Sequence, residues 1–499
     1  MLVYNFMFAG LPGSPTGLAM AVLNRTKGFV ENGINSEILV TTFNKNHSRD
    51  MRLLREKGLL KVPVRYMFDD LCDNSESEIF SLPDPVNKLI KTENLQQVPD
   101  SNPLIKRLFD NGKYEYFVKY NSNGKINFIK HFSNQVFADK VAYYNDHNLL
   151  VSEEYYFPNS NIVLSRVYYN TNGQVFLRYL YKKSGQLFNI IHFPSGSTFK
   201  SEQELVFYWL SNILPKNEII MLISEYAVYK QALLRVKDTL AKGSKLIFTL
   251  HNNHYASPYT VGSPIRNDFK TILDHLDEVK NVVVLTKEQR NDLISQFGRA
   301  DSFFCVPHAA KQYKGIQNSK RKRNSITVGG RFEKIKGIEE TIYAFKKVLK
   351  EVPEAHLNII GRGRERDNYK KIIHSLGIED NCSIVNFVSD LQAEYAKSDI
   401  AVFTSYYEGF HLSLTEAMGA GAVPITFPYK YGPKDIIDNG KSGIITQDRN
   451  IDELSQSIVD VLTNREKLSE MRREAMKISE KFSVKNNVKC WMNVFENAY

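Results

Sequence analysis

The chain has 499 residues, 42% of them hydrophobic, and a formal charge of +10 at neutral pH. That length holds two to four domains with sizeable cores and excludes a disulfide-stapled miniprotein. The four cysteines, Cys72, Cys305, Cys382 and Cys490, form no C-x-x-C pair, so neither a zinc ribbon nor a disulfide framework is indicated. The charge favours an anionic partner without choosing among nucleic acid, phosphate polymer, acidic protein and membrane surface.

The N-terminal run VYNFMFA lacks a basic flank and is cut short by Pro12 and Gly13, so it reads as a first buried strand. No run of about 18 apolar residues exists to span a membrane. A helix, LAMAVLNRTKGFVENG, and a second strand, SEILVTTF, follow, and this βαβ alternation to about residue 75 predicts a parallel sheet.

Between about 105 and 200 the texture changes. YEYFVKY, KINFIKHF, VAYYND, LLVSEEYYF, IVLSRVYYN, VFLRYLY and LFNIIHF alternate apolar with polar residues. Asn111-Gly112, Asn123-Gly124, Asn172-Gly173 and Ser184-Gly185 punctuate them, dipeptides that accept the positive φ of tight hairpins. The pattern predicts an antiparallel meander inserted into an α/β domain.

The α/β pattern returns with IIMLIS, KLIFTLHN and VVVLT. A basic stretch, KGIQNSKRKRN, reads as a linker, with a nuclear-localisation signal the weaker reading. A second βαβ series runs through SITVGG, AHLNIIGRG, CSIVNFV, IAVFTS, AVPITF and GIITQ. Two doubly wound halves place a ligand at the carboxyl ends of the strands, in the cleft between halves.

YYEGFHLSLTEAMGAG belongs at that place. IAVFTS is the strand, YYEGF the loop at its end and LSLTEAMGAG a helix whose start offers free N–H groups and positive dipole to a phosphate. Gly409 lets the backbone come close. Glu416, about one turn in, can accept two ribose hydroxyls, and Glu408 can face another part of the same ligand. The plainer reading is a surface glutamate pair beside a helix cap.

E-G-F-x-L-S-L-x-E-A-M resembles the E-x7-E element of retaining GT-B glycosyltransferases of family four. VGGRFEKIKGIEETI resembles that family's strand followed by R-x4-K, IIGRGRERD its G-x-G turn, VNFVSD the segment passing the uracil, and FSVKNNVKCWMNVF the last helix, which returns to the first domain. The resemblance covers roughly residues 325–499 and implies a GT-B fold: two Rossmann-like domains facing a cleft. It implies that Glu408 and His251 lie at the reacting centre and that Arg331 and Lys336 offset charge on a departing UDP. It further implies a nucleotide-sugar site of Val388, Gly409, Phe410, His411, Leu412, Ser413 and Glu416. Many relatives carry Gly or Pro where this chain has His411, which could cap the phosphate, contact the acceptor or be a mere substitution. The first half matches more loosely: Thr16-Gly17 stands where Gly-Gly is common, so the resemblance adds Gly17, which opens the first helix and could let substrate or phosphate approach, to the binding site, with Thr16 a candidate cap.

The implied domains are 1–100 and 204–318 (acceptor side), 101–203 (insertion), 319–482 (nucleotide-sugar side) and 483–499 (returning helix). The layout is similar to the bacterial TarM-like subgroup, which includes poly(glycerol-phosphate) glucosyltransferases and enzymes that glycosylate serine-rich or Ser-Asp-repeat surface proteins. That resemblance implies a retaining, metal-independent hexosyltransferase (EC 2.4.1 class). It would move GlcNAc or glucose from UDP to a wall teichoic acid polyol-phosphate polymer, or alternatively to serines of a repeat adhesin. The implied setting is the cytoplasm, with peripheral association at the inner membrane face left open, and a homo-oligomer, dimer or trimer, through the insertion. No nucleic-acid partner is implied.

Two other classes compete with this reading. Asp69, Asp70 and Asp73 in FDDLCD offer a D-x-D metal motif without its strand context, and His251 with His254 offers an H-x2-H pair with no evident third ligand. The interleaved basic and aromatic residues of the meander could serve a non-enzymatic polyanion-binding module.

Overall fold

The computed structural model describes residues 1–72, 82–310, 313, 315, 321–388 and 390–499. Most of the basic stretch KGIQNSKRKRN, with the expected boundary at 318/319, lies outside the described residues, as do Asp73 and Ser389. The chain divides into two compact units: Met1–Ala19, Ile34–Leu222 and Val228–Ser244 form one, and Met20–Gly33, Ile223–Ala227 and Lys245–Tyr499 the other.

In the first unit, strands Leu2–Met7, Ser36–Val40 and Val64–Tyr66 pair in parallel, with Val3 opposite Ser36 and Ile38 opposite Val64. Val3, Phe6, Met7, Ile38, Leu39 and Val40 are all fully buried, which suits a sheet covered on both faces. The predicted meander is a ten-stranded antiparallel sheet in sequential order, from Gln96–Val98 to Ser197–Phe199. All seven predicted strands are present. Gln96–Val98, Ile105–Asp110 and Ser197–Phe199 extend the sheet beyond them.

Only Asn111-Gly112 has positive φ at both turn residues, 44° and 80°; at the other three turns the glycine alone does. The register shifts beside these turns, as an extra loop residue requires. Tyr168 of the meander packs its ring 4.7 Å from Phe43 and 4.9 Å from Phe68, seating the sheet on the α/β part of this unit. Nearby, Asp70 accepts the Trp209 indole N–H at 2.7 Å and Asp69 pairs with His47 at 2.9 Å. These two aspartates are therefore engaged in packing this unit.

In the second unit, Lys245–Thr249, Val282–Val284 and Phe303–Cys305 pair in parallel. A six-stranded parallel sheet takes the order Cys382–Val385, His356–Arg362, Ser325–Arg331, Ile400–Phe403, Val423–Thr426 and Ile444–Ile445. Chain order reverses between Ser325–Arg331 and Ile400–Phe403, so a crevice opens at their carboxyl ends. The last helix, Val484–Asn497, sets Trp491 and Phe495 against Phe29, at 6.3 and 5.8 Å between ring centres. Gly28 makes room for it: a Cβ there would lie 2.8 Å from Val484.

Candidate active site

Strand Ser325–Arg331 runs into a short 3-10 turn, Lys334–Lys336, closed by Gly337 in the left-handed region at φ 57°. Only glycine fits there, because a Cβ would stand 2.2 Å from the Thr404 carbonyl. Thr404 Oγ1 donates to the Gly337 carbonyl at 2.6 Å, and the Tyr406 N–H to Ile335 at 2.9 Å. Arg449 donates to the carbonyls of Thr404 at 2.7 Å and Ser405 at 2.5 Å. These bonds lock the loop after Ile400–Phe403 to the 3-10 turn and bring Lys336 Nζ onto Glu408 Oε1.

Ser405 Oγ donates to the same Glu408 oxygen at 2.8 Å. Burial pushes the Glu408 carboxyl upward, but the charges of His411 and Lys336 and these hydrogen bonds outweigh it and hold it at about 2. Burial in turn pushes His411 down to about 4, so His411 adds its charge only in acid and at neutral pH Lys336 supplies the positive charge beside Glu408.

His411 precedes helix Leu412–Gly419 at φ 71° and is buried. Its Nδ1 is hydrogen-bonded to the Tyr429 hydroxyl and its Nε2 lies 3.8 Å from Glu408, beyond hydrogen-bond reach. Among the described residues no side chain caps the helix, so its first N–H groups, near Leu412 and Ser413, are open to an anion. Glu416 is half-buried one turn further on, close enough to Tyr395 that its charge, after burial, raises the phenol. The Phe410 ring points into the core, 5.3 Å from Phe482. Arg331 is exposed at the end of its strand and Val388 half-buried after Cys382–Val385. Gly361 and Gly363 belong here sterically, since Cβ atoms would meet the backbone of Gly330 at 1.8 Å and of Phe332 at 2.3 Å.

His251 stands in the same unit, its Nε2 2.5 Å from Glu225 Oε2. A Cβ on Gly409 would lie 2.0 Å from the His251 carbonyl oxygen, so the Glu408 turn rests directly on this histidine's backbone. His254 is fully buried, stacked on Tyr431 at 5.9 Å and pushed by burial down to about 4. It is a core residue. Among the described residues no three His, Cys, Asp or Glu side chains group to hold a metal ion. Gly17 lies in the other unit, at the start of helix Gly17–Glu31, where Thr16 Oγ1 accepts the Ala19 N–H at 3.3 Å.

Sequence reasoning missed Arg25, Glu225, His308, Ser405 and Arg449. Glu225 had a signal: it is a carboxylate immediately after the buried strand Ile220–Ser224. The others gain meaning only from tertiary contacts.

Acid should destabilise this unit in two stages. Burial lowers His254, His308 and His411 from 6.5 to about 4, 3 and 4. The unfolded chain therefore takes up these protons first as pH falls, so their contribution is whole above 6.5 and lost below it. Glu225 and Glu408, at about 2 against 4.5, contribute fully above 4.5 and lose that contribution as pH falls towards 2. Melting temperatures measured from pH 7 to 3 should decline below 6.5 and more steeply below 4.5; a flat profile would contradict this.

The fold is that of the GT-B glycosyltransferases, as the sequence predicted. Residues 310–478 match the family of glycosyl transferases group 1. The chain is 26% identical to a poly(glycerol-phosphate) alpha-glucosyltransferase of Bacillus subtilis strain 168, over 98% of this chain and 74% of that protein. It is 22% identical to a poly(ribitol-phosphate) alpha-N-acetylglucosaminyltransferase of Staphylococcus aureus strain COL, over 96% and 97%. A mutant TarM from S. aureus, solved with fondaparinux, alpha-GlcNAc-glycerol and UDP, superposes with a TM-score of 0.85 at 20% identity, covering 99% of this chain and all of that one.

Proposed function

We propose that this chain is a retaining glycosyltransferase that moves glucose or GlcNAc from UDP to hydroxyls of a bacterial poly(polyol phosphate). The observation that carries the reading is the Lys336–Glu408 pair at the open start of helix Leu412–Gly419, at the switch point of the six-stranded sheet. A diphosphate at that helix start would draw Lys336 from Glu408 and take Arg331 as a second cation. Glu416 is then placed for the ribose, Val388 for the base, and Gly409, His411, Leu412 and Ser413 for the phosphates and sugar. Gly17 would let substrate or phosphate approach, while the segments 1–100 and 204–318 would serve the acceptor, 319–482 the donor and 483–499 the return of the chain.

In the reaction the sugar C1–O bond to UDP breaks and a bond from C1 to the acceptor oxygen forms on the same face. The acceptor's proton goes to the departing β-phosphate, so no strong protein base is needed. Lys336, Arg331 and the helix dipole stabilise the charge that develops on the phosphate. Retention accords with the alpha linkage named for both relatives. The same cations can stand in for a divalent metal. We assign the meander to oligomer formation or acceptor engagement, and the +10 charge to an anionic polymer at the inner membrane face.

The test is a transfer assay read by mass spectrometry. UDP-GlcNAc and UDP-glucose are each offered with poly(ribitol-phosphate), poly(glycerol-phosphate) and a Ser-Asp-repeat protein, in EDTA throughout. Sugar on a polyol phosphate is expected. Sugar on the repeat protein alone would make the enzyme a protein O-glycosyltransferase, and activity restored only by added Mn²⁺ would overturn metal independence.

A further inference from the structure

A second buried charge cluster stands beside the Lys336–Glu408 pair, and the mechanism above makes no use of it. Glu225, with a side chain closed off from solvent, is paired with Arg25 and with His251. The carboxyl is held at about 2: burial raises it, and Arg25 and the His251 bond more than compensate. An ionised carboxylate only accepts, so the proton on this bond belongs to His251 Nε2. Among the described residues the other ring nitrogen, Nδ1, is buried without a partner. One hydrogen bond therefore orients the ring.

The rest of its support is stacking. The His308 ring lies parallel to His251 at 5.5 Å and 9°. His308 then meets the edge of Phe410 at 5.8 Å, and Gly409 sits against the His251 carbonyl. Both routes end on the residues that follow Glu408. Buried ion pairs add little net stability compared with apolar replacements, whereas misplacing a reacting group by about 1 Å can cost about 100-fold in rate.

We infer that Glu225 is a positioning residue: it fixes the His251 ring, and through it the seat of the Glu408 turn, while Arg25 serves as its counter-ion. This rests on the glycosyl-transfer reading for its activity readout only. Glu225 does not touch the reacting atoms.

Removing one member alone would leave a buried charge and could unfold the protein, so the test uses two neutral pairs. Arg25→Met with Glu225→Leu removes the acceptor for His251; Arg25→Gln with Glu225→Gln keeps one. The Met/Leu pair should lower kcat, by up to about 100-fold. UDP affinity and melting temperature should stay near wild type, and the Gln/Gln pair should recover most of the rate. Nitrogen-15 NMR of histidine-labelled protein, assigned with His251→Gln, should show a hydrogen-bonded Nε2–H in wild type and the Gln/Gln pair and lose that hydrogen bond in the Met/Leu pair. Wild-type kcat in the Met/Leu pair, or an equal loss of UDP affinity, would overturn the inference. The NMR signal decides it even if wild type transfers no sugar, an outcome that would count against the proposed activity instead.

Discussion

Replacing Glu408 by Gln should lower kcat for sugar transfer by about 100- to 1,000-fold, the scale at which a charge-stabilising group acts at a reacting centre. Glutamine keeps the shape and can still accept from Ser405, so the loop should hold its place. What it cannot keep is the charge, which Lys336 maintains in the folded protein. UDP affinity should change little. Lys336→Met should lower both kcat and UDP affinity, because the same ammonium is assigned to the diphosphate. The two effects should not add in the double variant, since the residues act as a pair. Steady-state kinetics and calorimetric UDP titration would separate these cases. Near-wild-type kcat in Glu408→Gln would remove Glu408 from the reaction.

How legible this site was differs along the chain for physical reasons. The six strands of the second half could be read because each is a short apolar run with a turn at its end, as in SITVGG and IAVFTS. The meander was legible from alternation and Asn-Gly turns, yet Gln96–Val98 was missed: its side chains are all exposed and leave no apolar signature. Ile105–Asp110 was missed for a different reason: Leu108 is fully buried, but Ile105, Leu108 and Phe109 do not alternate with polar residues. Glu408, Gly409 and Glu416 stood out locally as a loop and helix start at a strand end, but their assignment as a site, and that of Lys336, came only from the family resemblance of E-x7-E and R-x4-K. Arg449 had neither signal. It lies 41 residues beyond Glu408, at φ 54°, and matters only because its guanidinium reaches the carbonyls of Thr404 and Ser405. His411 was left open between ligand contact and plain substitution. Its ring is turned to Tyr429 and Phe403, an arrangement of neighbours that no local pattern encodes.

Gly409→Ala should be nearly as damaging as the loss of Glu408, and for a steric reason. The added Cβ would lie 2.0 Å from the His251 oxygen, 2.6 Å from its carbonyl carbon and 2.9 Å from Asn252 Cα. All three are backbone atoms, so no side-chain rotation can relieve the clash. The Glu408 turn must lift from His251 or the strand end must move. Overpacking of this kind costs about 1–3 kcal/mol. The larger effect should be on rate: a shift of about 1 Å at a reacting group can cost about 100-fold. Gly10→Ala is the matched control, since no atom of the described residues lies within 4 Å of a Cβ there. Gly409→Ala should melt lower, bind UDP more weakly and transfer sugar at about one hundredth of the wild-type rate, with Gly10→Ala unaffected in stability. A fully active Gly409→Ala would mean that the turn does not need its seat on His251, and the path from Glu225 to Glu408 would end at that contact.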